Sequence, residues 1–304
     1  MTAHEAPSAR RGPLRGALAA AVTPLTAEGA AVHAAGIVSL AEFYAGAGLD
    51  GLLILGTTGE GVLLSLDERR EVAELYLRTL SGRIAVAVHC GAQSTADTVT
   101  LARHAARCGA TAVAVIPPPY FALDDEAILQ HLGAAAAACA PTPFYVYEFA
   151  ARSGYAVPIP VVETLRAVAP NFAGLKVSDT PFARVGPYLL DGLDVLVGAE
   201  ALIHDSLAAG AVGAVSGLAA ALPELTIAAV RSGSREASER ARTVRKAIER
   251  FPFHAALKHI LQRRDTGVAA SVRAPLRSLT AAERGELDRL IQERPDDFPA
   301  RLGG

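Results

Sequence analysis

Lysine is scarce in this chain. Only Lys176, Lys246 and Lys258 occur, and the other positive charges are arginines. Lys176 is flanked by Gly174-Leu175 and Val177 in an apolar run, Phe172–Val177, that reads as a strand. Side chains alternate across a strand, so Leu175 and Val177 face outward and Lys176 faces inward. An ammonium aimed into an apolar interior is costly unless it is paired or used. Burial also lowers its pKa, and the resulting free amine is a nucleophile toward a carbonyl. A strand-end lysine that is solvated or paired with a carboxylate has the same local sequence. Lys246 lies in the charged run Arg242–Arg250 and Lys258 in a similar stretch, and both read as belonging to solvated helical faces.

Two further clusters follow strand-like runs. Gly56-Thr57-Thr58-Gly59-Glu60 comes directly after the apolar Gly51–Leu55. Hydroxyls and backbone N–H groups beside glycines suit a carboxylate, which they approach closely. An ordinary turn with threonine as a helix cap has the same composition. Tyr147 closes the run Phe144–Tyr147, and Pro117-Pro118-Pro119 holds Tyr120 in a fixed loop pose. A phenol relays protons when a neighbour shares or shifts its proton; each tyrosine also fits a packed aromatic.

The elements that must position these groups repeat along the chain. Eight apolar runs read as strands: Gly16–Val22, Gly51–Leu55, Ile84–His89, Ala112–Ile116, Phe144–Tyr147, Phe172–Val177, Asp194–Val197 and Ala211–Ser216. Between them lie helical stretches such as Ala34–Ala45, Leu66–Leu80, Thr95–Cys108 and Asp124–Ala138. The first carries Ile37, Leu40, Ala41 and Tyr44 on one stripe, and the second has Asp67 and Glu68 early, where the helix dipole favours them. Short apolar strands alternating with helices predict parallel βαβ units, and eight of them fit a closed (β/α)₈ TIM barrel over residues 15–222. A doubly wound open sheet is the alternative; it favours a glycine-rich phosphate loop after the first strand, and Val22-Thr23-Pro24-Leu25 is not one. Residues 223–304 read as helix after helix, a C-terminal helical appendage packed on the barrel. Residues 1–14 lack an apolar segment and read as a disordered leader rather than a signal peptide.

Composition excludes several classes. Of 304 residues, 51% are hydrophobic and 20% charged, ample for a large core. A net charge of −2 gives no basic footprint for nucleic acid. No apolar run reaches the length of a membrane span. Cys90, Cys108 and Cys139 are too few and scattered for a disulfide framework or a zinc site, and read as small buried residues in a reducing cytosol.

Taken in order, these motifs resemble the dihydrodipicolinate synthase / N-acetylneuraminate lyase superfamily of pyruvate-type class I aldolases. The resemblance spans roughly Gly16 to Pro223. Ala21-Val22-Thr23-Pro24-Leu25 resembles the opening strand, and Gly56–Glu60 the substrate-carboxylate loop. Tyr147 with Arg152-Ser153-Gly154 resembles the tyrosine strand and arginine turn, and Gly174-Leu175-Lys176 the Schiff-base strand. The resemblance implies that Lys176 forms an imine with pyruvate or a related 2-oxo acid and that Tyr147 is the general acid/base. Thr57 would link Tyr147 to Tyr120, the latter supplied across a subunit interface. Thr58 and Gly59 would help hold the carboxylate, with Val215 beside that pocket and Arg152 and Glu200 toward the second substrate. It further implies no metal or organic cofactor, an aldehyde co-substrate, a cytoplasmic enzyme and a homotetramer built from dimers.

Departures fall on the second-substrate side. Glu148-Phe149-Ala150 replaces an Asn-Val-Pro or Asn-Ile-Pro run. Gly198-Ala199-Glu200-Ala201 keeps one of the paired acidic residues of sialic-acid lyases, which speaks against sialic acid. Arg152 favours an acidic partner, since a guanidinium grips a carboxylate bidentately. Aspartate semialdehyde condensation, 2-oxo-3-deoxy sugar-acid cleavage and sugar-acid dehydration stay open. So does a 2-oxo-acid binder without turnover, although a binder has no need of a proton relay.

Overall fold

The computed structural model describes residues 12–300. Eight strands alternate with helices: β1 (Gly16–Ala20), α1 (Ala34–Gly46), β2 (Gly51–Ile54), α2 (Leu66–Thr79), β3 (Ala85–His89), α3 (Thr95–Arg107), β4 (Ala112–Val115), α4 (Asp125–Cys139), β5 (Phe144–Glu148), the one-turn α5 (Ala150–Ser153), α6 (Ile159–Val168), β6 (Phe172–Val177), β7 (Asp194–Val197), α7 (Ile203–Ala208), β8 (Gly213–Ser216) and α8 (Pro223–Ser232). Then come α9 (Arg235–Ile248), α10 (Phe253–Arg263) and α11 (Ala281–Glu293). Each strand pairs in parallel with the next, and β8 returns to β1, so the sheet is a closed barrel. The eight runs read from the sequence are the eight strands.

Alternation along the strands separates two cores. Leu18, Leu53, Ala87, Ala114, Leu196 and Val215 point into the barrel, where alanines suit the narrow interior. Ala17, Ala19, Leu52, Ile54, Leu175 and Val177 point outward against helices. The expected stripe of α1 is fully buried there: Ile37, Leu40, Ala41 and Tyr44 are each 0% exposed. Several helices start where a side chain satisfies a free backbone N–H. Ser65 and Glu68 make a capping box on α2, and Ser94 and Asp124 cap α3 and α4. Between β6 and β7, Pro181, Gly186 and Pro187 limit the chain to two short 3₁₀ turns, Phe182–Arg184 and Gly186–Tyr188.

Domain edges differ from the sequence reading. The expected leader lies, as far as residue 11, outside the described residues. Its last residues belong to the fold: Leu14 is buried in the barrel interior, and the Gly12 N–H donates to Asp194 Oδ2 at 2.7 Å. Helix α8, placed by sequence in the appendage, packs on β1 and β8 as the eighth barrel helix. Among the described residues, α9 to α11 are the helices added to the barrel. Among the described residues, no helix is long and apolar enough to cross a membrane. Cys90 and Cys139 are buried; Cys108 is half-buried against His104, its sulfur 3.6 Å from Nε2 and 4.0 Å from Nδ1.

Candidate active site

A cavity of about 590 Å³ opens over the C-terminal ends of the strands. Thr57, Thr58, Tyr147, Arg152, Lys176, Glu200 and Val215 line it. These come from five separate strand ends, those of β2, β5, β6, β7 and β8, where barrel enzymes carry their chemistry.

Register creates the centre of the site. Tyr147 on β5 pairs with Lys176 on β6, and both face inward, so adjacent strands place amine and phenol side by side. Lys176 is 7% and Tyr147 2% exposed, and Lys176 Nζ lies 3.6 Å from the centroid of the Tyr147 ring. Burial pushes the Lys176 pKa down and Arg245 adds to this, against Tyr147 and Glu200, which favour the ammonium. Burial opposes ionisation of Tyr147, but the Lys176 charge and bonds from Lys176, Thr57 and Ser178 outweigh it and bring the phenol below its ordinary value. The pair is poised for a proton to pass between its members. Tyr147 Oη is 3.2 Å from Thr57 Oγ1. Phe149 stacks on the Tyr147 ring at 6.2 Å and 26°, and His89 meets it edge-on at 5.8 Å and 84°.

The Gly56–Glu60 loop is held from outside the barrel. His254 Nε2–H of α10 donates to Thr57 O at 3.0 Å. Lys258, also on α10, is fully buried; its Nζ is 2.6 Å from Glu60 Oε1 and donates to Ser271 O at 2.7 Å. The Arg273 N–H donates to Glu60 Oε2 at 2.6 Å. This corrects the reading of Lys258 as part of a solvated helical face. The α10 face that carries it docks on the barrel mouth, where a loop carboxylate neutralises it.

Two expected site residues stand apart from the cavity in this chain. Gly59 packs away from it: its carbonyl accepts from Thr23 Oγ1 at 2.6 Å, and a Cβ would lie 2.9 Å from Ala21 O. Its role here is close packing of loop on strand. Tyr120, in a left-handed backbone conformation with φ 88°, is 87% exposed and pairs edge-on with Phe121 at 4.9 Å. Val215 sits on the cavity floor at 3% exposure.

On the second-substrate side, Glu200 Oε1 accepts from Ser216 Oγ at 2.6 Å, Leu218 N at 3.1 Å and Arg245 Nη1 at 3.4 Å. Arg245 lies over the Phe253 ring, 3.9 Å from its centroid, and donates from Nε to Glu249 at 2.8 Å. Glu200 therefore fixes Arg245 in the cavity wall. Exposed Arg152 and Lys246 stand at the mouth, Arg152 5.7 Å from the Phe149 ring centroid. Behind Phe149, Glu148 accepts from the Val157 N–H at 2.9 Å, and Asp179 accepts from Ala150 at 2.8 Å, at the start of α5. Burial, reinforced by the Asp179 carboxylate, pushes the Glu148 pKa up to about 8.

Sequence reasoning missed Phe149, Arg245, His254 and His89. His89 was accessible from the pattern: it shares the inward parity of Ala85 and Ala87 at the end of β3. The others depend on how α5, α9 and α10 dock.

A closed parallel barrel with a buried lysine–tyrosine pair over its C-terminal strand ends is the arrangement of the pyruvate-dependent class I aldolases. The model of the Dihydrodipicolinate synthetase family matches residues 13–294. An uncharacterized DapA-like lyase of Halobacterium salinarum is 34% identical over 259 residues, covering 82% of this chain and 84% of that protein. A 4-hydroxy-tetrahydrodipicolinate synthase of Halorhodospira halophila is 29% identical over 293 residues, covering 92% and 96%. Among solved structures, the Ruminococcus gnavus sialic acid aldolase matches with a TM-score of 0.86 at 25% identity, covering 94% of this chain and 99% of that one. The chain belongs to the dihydrodipicolinate synthetase family and is a lyase of the class I aldolase type.

Proposed function

We propose that this enzyme forms an imine between Lys176 and pyruvate or a related 2-oxo acid and makes or breaks a carbon–carbon bond at C3 with an acidic aldehyde. The observation that carries this reading is the buried Lys176 Nζ, 3.6 Å from the Tyr147 ring centroid, with Thr57 within 3.2 Å of the phenol oxygen.

The neutral amine adds to the 2-oxo carbon. The carbinolamine loses hydroxide, which leaves as water with a proton from Tyr147, and the protonated imine results. That cation draws electrons from C3: a C3–H proton leaves to the Tyr147 phenolate and an enamine forms. In the condensing direction the enamine carbon attacks the aldehyde carbon, and Tyr147 protonates the new alkoxide. Cleavage is the reverse, and hydrolysis frees Lys176. Thr57 passes the proton between Tyr147 and solvent or Tyr120. Thr58 and the loop amides hold the 2-oxo acid carboxylate. None of these steps calls for a metal or an organic cofactor.

Arg152 and Lys246 at the mouth, each without a paired carboxylate among the described contacts, favour a carboxylate on the second substrate. Condensation with aspartate semialdehyde, as by a 4-hydroxy-tetrahydrodipicolinate synthase, is the first reading. Cleavage or dehydration of a 2-oxo-3-deoxy sugar acid is the second, and is favoured by Glu200, which leaves its Oε2 without a protein partner beside the cavity. The two are separated by pyruvate consumption with aspartate semialdehyde and pyruvate release from 2-oxo-3-deoxygluconate. Saturable turnover in the first assay alone supports the synthase; turnover only in the second replaces it. We place the enzyme in the cytoplasm, and as a homotetramer of dimers in which Tyr120 of one copy enters the site of another. The exposed Tyr120–Phe121 pair supports that assembly.

A further inference from the structure

His89 takes no part in the imine chemistry, yet three of the strand exits that carry it meet on its ring. It closes β3 facing the barrel interior and is 2% exposed. The Ile116 N–H donates to Nε2 at 3.4 Å. A backbone amide can only donate, so the ring proton sits on Nδ1, which donates to Leu55 O at 3.1 Å. Leu55 leads directly into Gly56-Thr57 and has φ +62°, a left-handed conformation that costs a β-carbon residue roughly 1–3 kcal/mol and persists only where its surroundings fix it. Ile116 leads into the Pro117–Tyr120 loop. The third contact is edge-on to Tyr147, in the geometry favoured by aromatic pairs.

The backbone that carries the ring is fixed as well. Buried Arg69 donates from Nη2 to His89 O at 2.9 Å and from Nη1 to Gly91 O at 3.0 Å. Gly91 leaves room for the imidazole; a Cβ there would lie 2.9 Å from Nε2. Burial, aided by the Arg69 charge, holds the His89 pKa down to about 3, so the same neutral tautomer persists across working pH.

We propose that His89 is a positioning residue for the proton transfer at Tyr147: its ring sets the Tyr147–Thr57 contact by holding the Leu55 carbonyl on one side and the phenol ring on the other. This rests on the imine reading of Lys176.

The test is wash-in of deuterium at C3 of pyruvate in D₂O, followed by NMR. It needs the imine and the tyrosine but no second substrate, and it is paired with borohydride trapping of the pyruvyl adduct and with thermal melting. His89→Leu removes both ring bonds, His89→Asn keeps a donor near Nδ1, and His89→Gln keeps only an acceptor near Ile116. Trapping in all three is expected to saturate within about twofold of the wild-type pyruvate concentration. Exchange at saturation should fall about tenfold or more in the Leu and Gln variants, in keeping with the steep cost of a sub-ångström misplacement. It should fall less than about threefold in the Asn variant. If the Leu variant does not fold, the Asn and Gln variants carry the comparison. Exchange per folded enzyme that stays at the wild-type rate while only the melting temperature drops would reduce His89 to a packing residue and overturn the proposal. Equal losses in the Asn and Gln variants would overturn the Leu55 link. A wild type that neither traps nor exchanges overturns the imine reading, and this one with it.

Discussion

Lys176 and Glu148 are both buried beside ionisable neighbours, and their environments push them in opposite senses. At Lys176 burial favours the free amine that the chemistry needs. At Glu148 it favours the protonated acid, up to about pH 8. The unfolded chain ionises Glu148 from about pH 4.5. Its contribution to stability is therefore full below 4.5 and is lost as pH rises through about 8. Glu148→Gln should match the wild type near pH 4 and melt several degrees higher at pH 8.5, since ~1 kcal/mol moves Tm by roughly 2–4 °C in a domain approaching this size. Melting curves that run parallel from pH 4 to 9 would contradict the assignment. Residue chemistry was only partly legible in the sequence. Strand parity alone aimed Lys176 inward. Lys258 was misread because its partner, Glu60, is distant along the chain and meets it only once α10 docks.

At the scale of elements, the eight strands were legible because each is a short apolar run bounded by turn residues. The edge between barrel and appendage was not, since α8 and α9 are both amphipathic and only packing distinguishes them. What α10 does was also hidden: through His254 on Thr57 O and Lys258 on Glu60 it holds the loop carrying the expected carboxylate donors. Lys258→Met leaves Glu60 buried and uncompensated, and removing one partner of a buried pair costs about 3–5 kcal/mol. A fall in Tm of roughly 6 °C or more is expected, with a raised KM for pyruvate. Adding Glu60→Gln should recover much of the Tm but not the KM, because the loop keeps its His254 and Arg273 contacts but stays without its Lys258 anchor. A single variant as stable as the wild type would contradict the tether.

At the scale of the whole molecule, the exposed Tyr120 distinguishes a self-sufficient barrel from one completed by a second copy. Tyr120→Phe and Lys176→Ala chains, each expected to be nearly inactive, can be unfolded together and refolded as hybrids. If Tyr120 acts across the interface, a hybrid dimer holds one site with both Lys176 and a neighbour's Tyr120. Activity should return to about a quarter of wild type in a one-to-one mixture, as half the dimers are hybrids with one complete site each. No recovery on mixing would place Tyr120 in its own chain's site or outside the chemistry.

The central claim is that Lys176 is the residue that bonds to substrate. Borohydride reduction in the presence of pyruvate, read by intact mass and peptide mapping, tests it most directly. The expected result is one reduced pyruvyl group per chain, located on Lys176 and lost in Lys176→Ala. An unmodified wild-type chain, or an adduct on Lys246 or Lys258 instead, would contradict the account.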